Sequence, residues 1–359
     1  MFEKNKKEIL LQSKNYRADF IARNSKAIYI VKFILIVMVV YIHSRPLPNL
    51  GYDIASNHVI SEQIKDIITN KILRLAVPAF FVLSGFFAVN SNKRPMELLK
   101  KKTQTLVIPY LMVNTFWIIF FFVCSKINFL SHFIDPQYII NDRSKLLSAY
   151  FANEPIYYPF WFLRDLIILN ILSIALIFFL RSMPIISTIV IALVFGGVIP
   201  WNNSIIQNTS FVFYSTGCLF ALYFAYIRKI VKIFLNYINV HGIALFTLLL
   251  IIIQIFYTNE ILLFLYISFG LLILILFSKK CENKIIIKCS EYSFFIYSFH
   301  EFYEAFFKHA IMMIVPINNF SLMIIYVLLP LFIIAFCIIL GILTKKKVPL
   351  LYKLLCGGR

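Results

Sequence analysis

Ala27-Ile-Tyr-Ile-Val-Lys32-Phe-Ile-Leu-Ile-Val-Met-Val-Val-Tyr-Ile-His43-Ser44 is the first long apolar run of the chain, and it carries two ionisable side chains. Eleven positions separate Lys32 from His43. At about 100° per residue this is about 20° from a whole number of helical turns, so both sit on one stripe of one helix. At about 1.5 Å per residue they are roughly 16 Å apart along the axis, Lys32 near one membrane face and His43 near the other. Folding alone does not require either group in hydrocarbon, where a mid-helix Lys costs about 2.5–3.5 kcal/mol. The stripe is therefore expected to face a polar cavity.

Composition sets the class. The chain has 359 residues, 61% of them hydrophobic and 14% charged, and a mean hydropathy of +0.84. Its many apolar runs of about 17 residues or more predict an all-α, polytopic helical membrane protein. Ten spans are expected, at about 27–44, 67–90, 103–124, 160–180, 183–199, 209–227, 241–257, 261–277, 293–314 and 320–343. Residues 1–26 read as a basic N-terminal segment, 27–343 as the membrane domain and 344–359 as a basic tail. The first run is too long for a signal-peptide core, and no small-residue cleavage site follows it. Lys and Arg number 25 on the connections of one side and 5 on those of the other, which predicts both termini in the cytoplasm. The net charge of +19 is thereby a topology signal with attraction to the lipid bilayer as a side effect, and nucleic acid is not an expected partner. The six scattered cysteines form no C-x-x-C pair, so neither a disulfide framework nor a metal site is expected. No phosphate-binding glycine motif is present, which argues against a nucleotide-driven pump. No internal repeat of the kind many transporters carry is visible.

The ionisable residues inside the spans sort by depth. His43, Lys71, Arg74, Arg164 and Asp165 fall in the outer half. The ninth span carries His300, Glu304 and Lys308 on one stripe with Glu301 beside it, its upper end level with His43. Charged groups from four helices in one layer point to function. Each also has a plainer reading. Lys71 and Arg74 can snorkel to the interface, Glu304 and Lys308 can neutralise each other, Arg164 and Asp165 can cap a helix, and His300 can bond a backbone carbonyl. Trp161 fits core or interfacial belt.

The same residues carry a resemblance. Lys32, ten intervening positions and His43 resemble the first block of the bacterial integral-membrane acyltransferase family 3, whose members O-acylate cell-surface glycans. Lys71-Ile-Leu-Arg74, followed by Pro78 and Ser84-Gly85-Phe-Phe, is similar to the second block. Lys100-Lys-Lys102 before Ile108-Pro109-Tyr110, Trp161-Phe-Leu, and Tyr292-Ser-Phe-Phe-Ile-Tyr297-Ser-Phe-His300 are similar to the later ones, in the same order, from about residue 17 to 345. The chain departs in having Lys at the first position of the first block and Lys-x-x-Arg in the second. Lys keeps the charge but not the bidentate grip of Arg. No appended esterase-like domain is seen, so the chain resembles the free-standing type.

The resemblance implies acyl transfer, and the residues suit it. A base must take the proton of the attacking hydroxyl, which His43 is suited to do near neutral pH. Asp165 or Glu304 is expected to orient its ring. Lys32, Lys71, Arg74 and Arg164 are expected to hold an anionic donor or stabilise the oxyanion, with Trp161, His300 and Lys308 as further cavity residues. The implied co-substrate is acetyl-CoA or another acyl-CoA, with no permanently bound cofactor. The implied acceptor is a cell-surface glycan or its lipid-linked precursor, and the implied location is the bacterial cytoplasmic membrane. The rival readings are a transporter or flippase of a glycan intermediate, with the charged layer as its substrate site, and a non-catalytic envelope-assembly subunit.

Overall fold

The computed structural model describes residues 2–44, 59–89, 95–127, 143–151, 155–201, 205–257, 259–316 and 318–358. Every described regular element is helical. A helix stands at each of the ten expected spans: α2 Ser25–His43, α3 Val59–Ile67 continuing into α4 Ala76–Val89, α6 Ile108–Ser125, α8 Trp161–Ser182, α9 Pro184–Phe195, α10 Asn208–Leu222, α12 Val240–Phe256, α13 Glu260–Lys280, α15 Ser293–Met312 and α16 Asn319–Lys347. Among the described residues, six helical stretches are long and apolar enough to cross a membrane, or seven if a pair bent by 100° counts as one. The protein is thus a polytopic helical membrane protein. Most of the expected connection 125–159, and Arg45, lie outside the described residues; α7 Arg143–Phe151 falls within that connection.

The remaining helices run where hydropathy alone reads tail or loop. The basic N-terminal segment is α1 Phe2–Arg23, and the expected sixth span breaks at Tyr223, where α10 ends and α11 Phe224–Tyr237 begins. One helix organises that break. Arg17 of α1 donates to the Ala221 carbonyl at the end of α10, and the Ser13 hydroxyl accepts the Ala225 amide of the first turn of α11 at 3.1 Å. Helix ends leave such carbonyls and amides without partners of their own. Burial, helped by the positive charge of Arg181, holds the pKa of Arg17 below its ordinary value. α5 Pro95–Lys102 leads into α6, α14 Lys284–Ser290 precedes α15, and α17 Pro349–Cys356 packs on α6 and α16.

Two spans contain wide turns. A π turn, Ile68–Ile72, and a 3₁₀ turn, Leu73–Leu75, join α3 to α4, and a π turn, Thr103–Val107, joins α5 to α6. The first moves the start of the second span outward to Val59 and brings Thr69 to 3.2 Å from the Tyr326 hydroxyl of α16. Pro330 interrupts the hydrogen-bond ladder of α16. One turn away, the Val327 carbonyl accepts the Tyr41 hydroxyl at 2.9 Å, tying α2 to α16 two residues before His43.

α4 and α10 make the most extensive helix contact among the described residues, and two glycines permit it. A Cβ on Gly217 would lie 2.0 Å from the Val82 carbonyl oxygen, and one on Gly85 2.0 Å from that of Tyr214. With no hydrophobic driving force between helices in lipid, such backbone approach is a main source of association. Gly217→Ala should therefore lower thermal stability in detergent by about 1–3 kcal/mol. Gly196→Ala, whose Cβ would meet only a carbonyl at 3.4 Å, should change little. Equal melting shifts would remove the crossing from the account.

Candidate active site

His43 is the last residue of α2, and its ring enters the side of α15 at the one point where that helix offers a carboxylate and an imidazole in succession. Nδ1 of His43 lies 3.6 Å from Glu301 Oε1, with the two side chains 17% and 31% exposed. The rings of His43 and His300 are 5.2 Å apart, edge to face, and Tyr158 flanks His43 at 6.2 Å. A carboxylate facing Nδ1 favours the tautomer with its proton there, which leaves Nε2 as a lone-pair acceptor.

The position of α15 is fixed from behind. The Tyr157 hydroxyl donates to the Tyr297 carbonyl at 3.1 Å and accepts the Glu301 amide at 3.3 Å, bridging one turn of the helix. Trp117 stacks on Tyr157 at 5.6 Å and its indole N–H reaches the Ser298 carbonyl at 3.4 Å. The Tyr297 hydroxyl donates to the Pro159 carbonyl. His300 Nδ1 stands 3.0 Å from the Tyr297 carbonyl and 3.1 Å from that of Ile296, so Nδ1 carries the proton. Its Nε2, fully buried, has no hydrogen-bond partner among the described residues.

Beyond this pair the polar stripe continues. Glu304 is 1% exposed and Lys308 3%. Neither carboxylate oxygen of Glu304 has a hydrogen-bond partner among the described residues; its electrostatic surroundings are Lys308, the Ser44 hydroxyl, His43 and Glu301. Lys308 sits in the field of Glu304, Lys65, Glu301 and Glu62, and Lys65 Nζ is 3.1 Å from Glu62. Carboxylates and cations thus neighbour one another along a column from His43 to Glu62, the arrangement by which buried ions avoid standing alone.

The other expected site residues lie elsewhere. Arg164 and Asp165 form a closed clip: Asp165 Oδ1 takes Arg164 Nη2 at 2.7 Å, and Oδ2 takes the Ser210 hydroxyl at 2.7 Å and the Gln207 amide at 2.9 Å. That carboxylate caps the start of α10, and the group facing His43 is Glu301. Arg74 is exposed and opens onto a cavity of about 270 Å³ lined with Gln254, Asn259, Glu260 and Leu263. Lys71 is half-buried in the π turn between α3 and α4, and Trp161 is half-buried beside Phe162. Lys32 lies over the Phe87 ring at 5.0 Å, toward the opposite end of α2. Sequence reasoning passed over Tyr157, Trp117, Lys65 and Glu62, and noted Glu301 only as a neighbour of the stripe. Among the described residues no group of three His, Cys, Asp or Glu side chains is placed to hold a metal ion.

Comparison with protein families adds one decisive observation. The model of a family described as an acyltransferase domain, acyltransferase family 3, matches residues 25–344. The chain belongs to that family. It is a membrane acyltransferase whose matched region runs from the first residue of α2 into the last turn of α16 and takes in the His43–Glu301 pair, the Asp165 clip and the whole charged column; α1 and α17 lie outside it. No curated protein and no solved structure gives a significant match.

The clip and the pair should separate in experiment. Asp165→Asn removes the buried carboxylate that Arg164, the Ser210 hydroxyl and the Gln207 amide share and should cost about 3–5 kcal/mol of thermal stability. Glu301→Gln, at the open end of the column, should melt near the wild type. An Asp165→Asn protein that melts normally yet transfers no acyl group would instead put Asp165 in the chemistry.

Proposed function

We propose that this acyltransferase is an O-acetyltransferase of the bacterial cytoplasmic membrane. It moves the acetyl group of cytoplasmic acetyl-CoA to a hydroxyl of a cell-surface glycan or its lipid-linked precursor. The observation that carries the reading is the 3.6 Å approach of Glu301 to Nδ1 of His43, with His43 partly open and α15 pinned behind it. Glu301 orients the ring and balances the charge that forms on it; Nε2 takes the proton of the acceptor hydroxyl. The hydroxyl oxygen attacks the thioester carbonyl, the C–S bond breaks, and the proton held by His43 passes to the departing sulfur. One O–H and one C–S bond are exchanged for one O–C and one S–H bond. Lys32, toward the other end of α2 from His43, supplies positive charge for the phosphates of the donor. The partition of basic residues supports termini in the cytoplasm, with His43 toward the outer side.

A buried column of mixed charge is also what a proton-coupled flippase of a glycan intermediate would display, and one substitution separates the two. His43→Ala should lower glycan acetylation by about 10²–10⁴-fold, with glycan made and exported in normal amount, as read by mass spectrometry of the envelope fraction. Loss of surface glycan with unchanged acetylation of what remains would favour the flippase.

A further inference from the structure

α11 meets α12 at a bend of 100°, and α12 is an apolar helix of 17 residues whose Leu245, Leu248, Leu249, Ile252 and Phe256 are exposed. Seventeen residues rise about 26 Å, close to the hydrocarbon thickness, so α12 stands across the bilayer with those side chains in lipid. A helix at right angles to it, starting from the same end, lies in the membrane plane. The sequence of α11 agrees position by position. At about 100° per residue, Arg228, Lys229, Lys232 and Asn236 fall within one arc of about 100°, and all four are exposed. Tyr226, Ile230, Ile233 and Tyr237 fall within an adjacent arc of about 60°, and they are exposed too. Ile227, Val231 and Phe234 close the circle and are half-buried toward the protein. Three faces meet three media: protein, hydrocarbon and water, with the cations along the border of the last two.

The helix is held in this pose rather than left to slide. α1 packs along it, with Ser13 capping its first turn at 3.1 Å and Tyr16 stacked under the Arg228 guanidinium at 4.6 Å. Lys279, at the end of α13 on the same side, lies over Phe20 of α1 at 5.6 Å. We infer that α11 is an in-plane helix whose Arg228, Lys229 and Lys232 bind the headgroups of anionic phospholipids in the leaflet on the side of the chain termini. The partner is a lipid rather than a free phosphate compound because the cations border an exposed apolar arc that only acyl chains would cover. The inference is independent of which acyl group the enzyme transfers.

The test uses the full chain in nanodiscs of equal parts phosphatidylcholine and phosphatidylglycerol, followed by native mass spectrometry of the lipids retained on the released protein. The wild type should retain phosphatidylglycerol in preference, and the preference should vanish in R228Q/K229Q/K232Q. Lys229→Gln alone, which no packing contact opposes, should weaken retention about fivefold and decides the matter if the triple variant fails to fold. K345Q/K346Q/K347Q, which removes a basic cluster at the end of α16, should keep the preference. Equal retention of both lipids by the wild type, an unchanged Lys229→Gln, an equal loss in both triple variants, or displacement of the lipid by added coenzyme A would each overturn the inference.

Discussion

Glu304 and Lys308 are almost wholly withdrawn from solvent inside a helix that must stand among hydrocarbon and other helices. An ion so placed is tolerated only beside an opposite charge or an open polar space, and that demand shapes what surrounds α15. Lys65 and Glu62 are drawn in from α3, Ser44 from the end of α2, and the column opens at His43 and Glu301. The wide turns between α3 and α4 belong to the same solution. They leave Thr69 bonded to Tyr326 across the bundle, and π turns of this kind recur where a helix serves a site rather than a core. Among the described residues, the Glu304 carboxylate oxygens and His300 Nε2 are the atoms of the column that no hydrogen bond satisfies.

Behind the column the protein is rigid. Trp117, Tyr157 and Tyr297 hold the backbone of α15 between residues 297 and 301 from a neighbouring helix and from the turn before α8. A base and its orienting carboxylate then need no reorganisation at the moment of proton transfer, which is where preorganised sites gain their rate. The Asp165 clip contributes at one remove, fixing α8 to the start of α10 and so keeping the turn that carries Tyr157 and Tyr158 in place.

Much of this was legible in the chain itself. Apolar runs locate a helix at each of the ten expected places, six or seven of which among the described residues are long and apolar enough to cross a membrane, and the His43 stripe follows from helical period alone. The stripe His300, Glu304, Lys308 was also readable. The carboxylate that meets His43 was not singled out, because the ring arrives from another helix and meets α15 one residue round from the stripe, at Glu301. Asp165 looked available because its partners, Ser210 and the Gln207 amide, lie more than 40 positions away, with no local signature. α11 and α17 escaped because hydropathy averages over the apolar and basic faces of an amphipathic helix, and α1 because it is polar along most of its length.

The central claim is that His43 and Glu301 act as one unit in acyl transfer. Initial rates of acetyl transfer from labelled acetyl-CoA to endogenous glycan in membrane vesicles, for the wild type, His43→Ala, Glu301→Gln and the double variant at matched protein abundance, test it most directly. If the carboxylate works only through the imidazole, Glu301→Gln alone should slow transfer about tenfold or more, and adding it to His43→Ala should slow transfer no further. A double variant slowed by the product of the two single effects would mean that the two side chains act separately, and the account of the site would fail.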